Sequence, residues 1–282
     1  MDINRKYYGS IYEKEIVKEF YEISFKVDKI ILNVLETDYN VETNSYEYIM
    51  KELLKYSFET SQSLRLILSH GIIRSTYALL RVRLEQMIVS SYLIHSDKKD
   101  GLDNFILQSG ISLYKNYSST ASFSNFTKET IDKLLSAVGV NEKYYKDLAN
   151  LAQREKRSDF NPESDKYDRD WTSLDLRSMA KKRDEFVNET GELFSTPIEH
   201  YYSSLYKGGN SVIHSDAIIA SSSFFPFMNP MWYKNLALNN SYFDMVQGFE
   251  ISNFLGFDFK KEFTQLNEEY FNNLKSSLGS LF

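Results

Sequence analysis

Residues 72–95, IIRSTYALLRVRLEQMIVSSYLIH, are the stretch whose reading decides the fold. Ile73, Tyr77, Leu80, Leu84, Ile88 and Ser91 recur at steps of three and four, which draws one stripe down an α-helix. No proline or glycine interrupts the run, so nothing in it breaks the backbone ladder of a long helix. Toward the N-terminus, Ile16, Phe20, Ile23, Val27, Ile30 and Ile31 predict a helix over about residues 11–35. Asn44 followed by Glu47 is a capping-box signature for a second helix reaching about Ser69, with a stripe of Ile49, Leu53, Tyr56, Leu64 and Ile67.

The same period continues toward the C-terminus. It predicts helices near residues 102–117, 128–137 and 142–154, then one capped by Thr172 and Asp175 and running to about Phe186. A further helix over 192–206 leads to Gly208-Gly209, followed by a segment ending near Ala220 and by two closing helices near 241–255 and 260–278. The expectation is an all-α, multi-helix bundle of about eight to ten helices. Residues 156–170, KRSDFNPESDKYDRD, are dense in charge and lack a period. They read as a charged loop joining residues 1–155 to residues 171–282 within a single helical body spanning 1–282.

Composition agrees and removes several classes. Hydrophobic residues make up 42% of the 282-residue chain, enough for a substantial core. Only 4 prolines and 11 glycines punctuate it, and no alternating β-branched run is bounded by turn dipeptides. A net charge of −6 argues against a broadly basic nucleic-acid binder while leaving room for a local basic cleft. With no cysteine there is no disulfide, zinc–thiolate site or cysteine nucleophile. His70, His95 and His200 have no metal-ligand spacing, so neither metal nor cofactor is expected. The opening MDINRK has no apolar signal core and no apolar run approaches the roughly 18 residues of a membrane span, so no span is expected and the cytoplasm is the expected compartment.

One constellation could carry chemistry. From Glu59 to Glu85 there is no intervening acid, yet Arg65, Arg74, Arg81 and Arg83 fall in that interval. On a helix, Arg74, Arg81, Glu85 and Tyr92 share a narrow arc beside the apolar stripe, with Arg81 and Glu85 one turn apart. Such an arginine is either one half of a structural ion pair or a fork offered to phosphate or carboxylate. Downstream, YSSLYKGGNSVIH (202–214) places Asn210 and His214 on one helical face, joined by Lys207 if the helix runs through the glycines. A histidine suits proton transfer near neutral pH and a neighbouring cation stabilises a developing oxyanion, although a lone histidine is more commonly a packed residue. Phe224 and Trp232 bound an irregular aromatic loop that either folds over the bundle or offers a surface to a protein partner.

The order and spacing of Arg81-x-x-x-Glu85, Tyr92-Leu-Ile, the Trp171-led helix and Tyr206-Lys-x-x-Asn-x-x-Ile-His214-Ser resemble a bacterial family of helical proteins without known activity, over about Leu64 to Ser222. A more distant similarity is to the HEPN superfamily of helical toxins and defence ribonucleases. That similarity implies a metal-independent ribonuclease-like effector, paired as a homodimer and acting on RNA. His214 would be its general acid/base, Lys207, Arg74 and Arg81 would grip phosphate, Asn210 would orient the site, and Glu85, Tyr206 and Tyr92 would support it. The chain departs from the superfamily pattern where Lys207 replaces the expected arginine and Gly208 the following polar residue. The competing reading is a non-catalytic binding or regulatory module in which Arg81–Glu85 is a structural pair and His214 a packed residue.

Overall fold

The computed structural model describes residues 15–37, 46–70, 72–97, 99–123, 142–168, 170–191, 193–206 and 230–279, and among these every regular element is helical. The helices are α1 (Glu15–Glu36), α2 (Tyr46–Ser69), α3 (Ile73–His95), α4 (Asn104–Phe123), α5 (Glu142–Lys156), α6 (Leu176–Thr190), α7 (Ile198–Tyr201), α8 (Pro230–Phe254) and α9 (Lys260–Gly279). Short π-helical turns at Lys99–Asp103 and Tyr202–Tyr206 lead into α4 and out of α7. The all-α multi-helix reading therefore holds. The expected capping box at Asn44, the helix over 128–137 and the segment ending near Ala220 lie outside the described residues.

The described helices gather into two compact units. In the first, α1–α3 and α6–α9 come together, and α8 is the central helix, touching α1, α2, α3 and α9. From Asn240 to Ser252 every α8 residue is buried, whichever way it points. Gly248 allows the closest approach: a β-carbon there would stand 3.1 Å from the Phe263 ring and 3.5 Å from Val27. The helix ends on Gly256 at φ +82°, a left-handed conformation that glycine adopts without strain, and the Phe257 amide donates to the Ser252 carbonyl at 2.9 Å. α1 contributes Phe20, Ile23, Val27, Ile30, Ile31 and Val34 to this core, as its period predicts.

Three elements differ from their sequence reading, each for a physical reason. The α2 face that is buried is Met50, Leu54, Ser57, Phe58, Ser61, Leu64, Arg65 and Leu68, whereas Tyr56 is exposed. The core here accepts serines and an arginine, so a search for apolar residues alone settles one ridge away. The helix expected over 192–206 is helical only from Ile198, because Pro197 sits at its N-cap with an extended backbone. The closing helix expected from 241 begins at Pro230, a residue type tolerated at a helix start. Trp232 of the aromatic loop falls in this helix, while Phe224 lies outside the described residues.

The second unit holds α4, α5 and the charged stretch 156–170. That stretch is anchored at several points. Phe160 is buried, Tyr167 donates to Asn150 at 2.5 Å, and the Asp168 amide donates to Gln153 at 2.8 Å. Lys156 reaches both Asp168 and Gln108, which ties the end of the stretch to α4. Where α4 meets α5, Ile111, Ala149 and Ala152 form a small core.

Candidate functional site

The first unit is built around arginines that the sequence places in its acid-free stretch. Arg83, 1% exposed, donates to Asp244 at 2.8 Å and to Gln247 at 2.7 Å. Arg65 bonds Asp28 at 2.5 Å and Asp244 at 3.3 Å. The second oxygen of Asp244 also accepts from Ser24 and Ser61, and Asn240 donates to it at 3.2 Å. Burial disfavours charge on Arg83, and Asp244 is what opposes it. At Asp28 burial prevails over the nearby Arg65 and pushes the carboxyl up to about 6.

A second buried cluster fixes the chain that approaches the site. Arg183 on α6 donates to Glu250 through Nε at 3.0 Å and Nη2 at 2.5 Å, and Nη2 also reaches the Phe194 carbonyl at 2.9 Å. Ser91 donates to the other Glu250 oxygen, and His95 stands 3.9 Å away, stacked on Phe186. Burial would raise the Glu250 carboxyl, but Arg183, His95 and Ser91 outweigh it and hold the group at about 2. Next to Arg183, Asp184 accepts from the Ile198 and Glu199 amides at 2.9 Å each. α6 thus caps α7, supplying acceptors that Pro197 cannot. These contacts set the direction in which residues 198–206 run.

That segment ends on α3. Arg81 donates through Nη2 to the Tyr206 hydroxyl at 2.6 Å, and its guanidinium carbon lies 4.0 Å from the Tyr206 ring centre. Its Nε donates to Glu85 at 3.3 Å, long for a charge-assisted bond. Glu85 also acts on the Tyr206 hydroxyl, raising it, and the Tyr206 ring stacks on Tyr202 with centres 4.8 Å apart. Arg81 and Glu85 are partly exposed, at 24% and 38% of their side chains. Burial works against the charge on Arg81, yet Tyr206 and Glu85 together raise its pKa above the ordinary arginine value. Burial raises the Tyr206 hydroxyl in turn, with Arg81 pulling the other way.

Of the residues singled out in the sequence, Arg81, Glu85 and Tyr206 are brought together. Tyr92 is buried, about 16 Å further along α3 at the rise of an α-helix, so it shares an arc with Arg81 but not a site. Arg74 lies on the first turns of α3, about 10 Å from Arg81 by the same rise, and its side chain lies outside the described residues. Lys207, Asn210 and His214 also lie outside them; Lys207 is bonded to Tyr206.

Sequence reasoning missed Asp28, Arg183, Asp184, Asp244 and Glu250. A signal was present for two of them: Asn240, Asp244, Gln247 and Glu250 fall on one helical face among Tyr242, Phe243, Met245, Val246 and Phe249. A polar stripe on a helix otherwise apolar all round marks a buried helix with partners for its charges. For Asp28, Arg183 and Asp184 no local signal distinguishes them from surface charges. Among the described residues no group of three or more His, Asp or Glu could hold a metal ion, and no helix is long and apolar enough to cross a membrane.

The fold and this site define an all-α protein with a buried arginine–carboxylate core and one partly exposed arginine clasped by a tyrosine. Residues 46–226 match the model of a family of unknown function, DUF5677, and the chain belongs to that family. No curated protein and no solved structure matches the chain. The matched span contains the buried Arg65, Arg83 and Arg183, whereas Asp28, Asp244 and Glu250, their principal acid partners, lie outside it.

Proposed function

We propose that this protein is a metal-independent, ribonuclease-like effector of a bacterial toxin or phage-defence system, related distantly to the HEPN proteins and working as a homodimer on RNA. The observation that supports this reading is the clasp of Arg81 on Tyr206, which joins the arginine-bearing α3 to the residue just before Lys207. His214 is the general acid/base. It takes the proton of a ribose 2′-hydroxyl as that oxygen attacks the adjacent phosphorus. The bond from phosphorus to the 5′-oxygen breaks, and the leaving oxygen receives a proton, which leaves a cyclic phosphate and a free 5′-hydroxyl. Lys207 and Arg74 offset the charge that builds on the phosphoryl oxygens, and Asn210 orients them. A lysine at 207 supplies charge without the bidentate fork of an arginine.

The test is incubation of the purified chain with RNA in EDTA. Cleavage that His214→Ala abolishes, in a variant that melts like wild type, supports the reading. RNA that stays intact with wild type under every nucleic-acid or phage trigger tried removes it.

A second reading is favoured by a specific observation. Glu85 and Tyr206 already satisfy Arg81, which fits a non-catalytic binding or regulatory module with a structural pair at this position. In that case a protein partner docks near Phe224 and Trp232. His214→Ala then lowers the melting temperature and alters no RNA.

A further inference from the structure

Arg81 places an Nη2 bond on the Tyr206 hydroxyl at 2.6 Å, stacks at 4.0 Å on the ring of the same tyrosine, and places an Nε bond on Glu85 at 3.3 Å. Arg81 thus bridges Tyr206 and Glu85, and the three side chains form one cluster. Its members come from two places in the chain: one turn of α3, and the last residue of the π-helical turn after α7. An arginine that grips phosphate directs its fork, two parallel N–H groups, at the anion. Here one arm of the fork is already held by Tyr206 and the face of the guanidinium is covered by the ring. Glu85 also sets a carboxylate beside any incoming phosphate, which costs attraction at that point.

We infer that Arg81 is a positioning residue: braced by Glu85, it clasps Tyr206, the residue that precedes Lys207 in the chain, and it does not itself hold substrate. The inference rests on the proposed site for its consequence in catalysis, but the clasp has a readout of its own. A lysine at 81 keeps the charge and loses both the planar stack and the fork. A phenylalanine at 206 keeps the stack and loses the hydroxyl.

The experiment compares the full chain with Arg81→Lys, Tyr206→Phe and the double variant. Native-state trypsin cleavage after Lys207 is followed together with the melting temperature. Each single variant is expected to speed cleavage at that bond several-fold, and the double variant to add little beyond either single. Unchanged cleavage in both singles, or fully additive effects, overturns the clasp whether or not the protein acts on RNA. With RNA cleavage in hand, the positioning role predicts that Arg81→Lys and Tyr206→Phe lower kcat about tenfold at constant KM. Arg81→Gln should leave the salt dependence of RNA binding unchanged. A raised KM with unaltered kcat, or a salt slope shallower by about 0.7 in Arg81→Gln, makes Arg81 a phosphate contact and overturns the inference.

Discussion

Arg81 and Arg83 are two residues apart on α3 and have opposite surroundings. Arg83 points into the bundle, where Asp244 and Gln247 of α8 meet it more than 160 positions away in sequence. Arg81 points to the rim, where Glu85 one turn along and Tyr206 satisfy it. The inner arginine is embedded in a network whose removal leaves uncompensated charge in a low-dielectric core. The outer one belongs to a contact that water can partly replace. Identical side chains on one helix are therefore structural or available for function according to the face they occupy, and α8 decides which face is inside.

The widest test of that contrast is to remove the acids altogether. A fragment of residues 46–226 retains Arg65, Arg83 and Arg183 and lacks Asp28, Asp244 and Glu250. Circular dichroism with denaturant should show no cooperative unfolding for it, because the central helix and its carboxylates are gone. A fragment that unfolds cooperatively with native helix content would mean that the buried arginines find partners within the family span.

In the full chain, Asp244→Ala leaves Arg65 and Arg83 facing each other without their shared carboxylate. It should cost about 3–5 kcal/mol in chemical denaturation. A loss below about 1 kcal/mol would place the inner network on a par with surface pairs.

pH separates two of the inner carboxylates by sign. Glu250 is held at about 2 against an ordinary 4.5, so its contribution is complete above 4.5 and is lost as pH falls through 2. Asp28 is raised from 3.8 to about 6, so its contribution declines as pH rises from 3.8 to about 6 and is constant above. Glu250→Gln should flatten the acid limb of a stability–pH curve, and Asp28→Asn should flatten the fall between pH 4 and 6. Curves unchanged in shape would show that neither group is perturbed by folding.

At the rim the expected effects are smaller. Arg81→Ala should cost about 1 kcal/mol, combining a partly exposed ion pair with a cation–π contact. Glu85→Gln should cost only a few tenths. A loss at Arg81 as large as that at Asp244 would erase the distinction between the faces.

Much of this architecture was legible beforehand. The stripes of α1 and α3 run where the buried residues lie, because an amphipathic period is a local property that survives whatever the helix packs against. α2 and α8 were harder for the reverse reason. α2 buries Ser57, Ser61 and Arg65, and α8 is buried on every side from Asn240 to Ser252, so in neither does polarity mark the outer face. At the site, the one-turn spacing of Arg81 and Glu85 foretold their pairing. That Tyr206 would lie under the guanidinium could not be read, since it depends on Pro197, the Asp184 cap and the path of the π-helical turn.

The chain's own pattern determined that it is all helical, where its long helices run, and that an arginine and a glutamate would sit side by side on α3. Tertiary structure alone decided that Arg65, Arg83 and Arg183 are core residues and Arg81 is not. The reason is physical: helical periodicity acts over a few residues, whereas neutralising a buried charge depends on a carboxylate brought within about 3 Å from a distant helix, which only the packed bundle supplies.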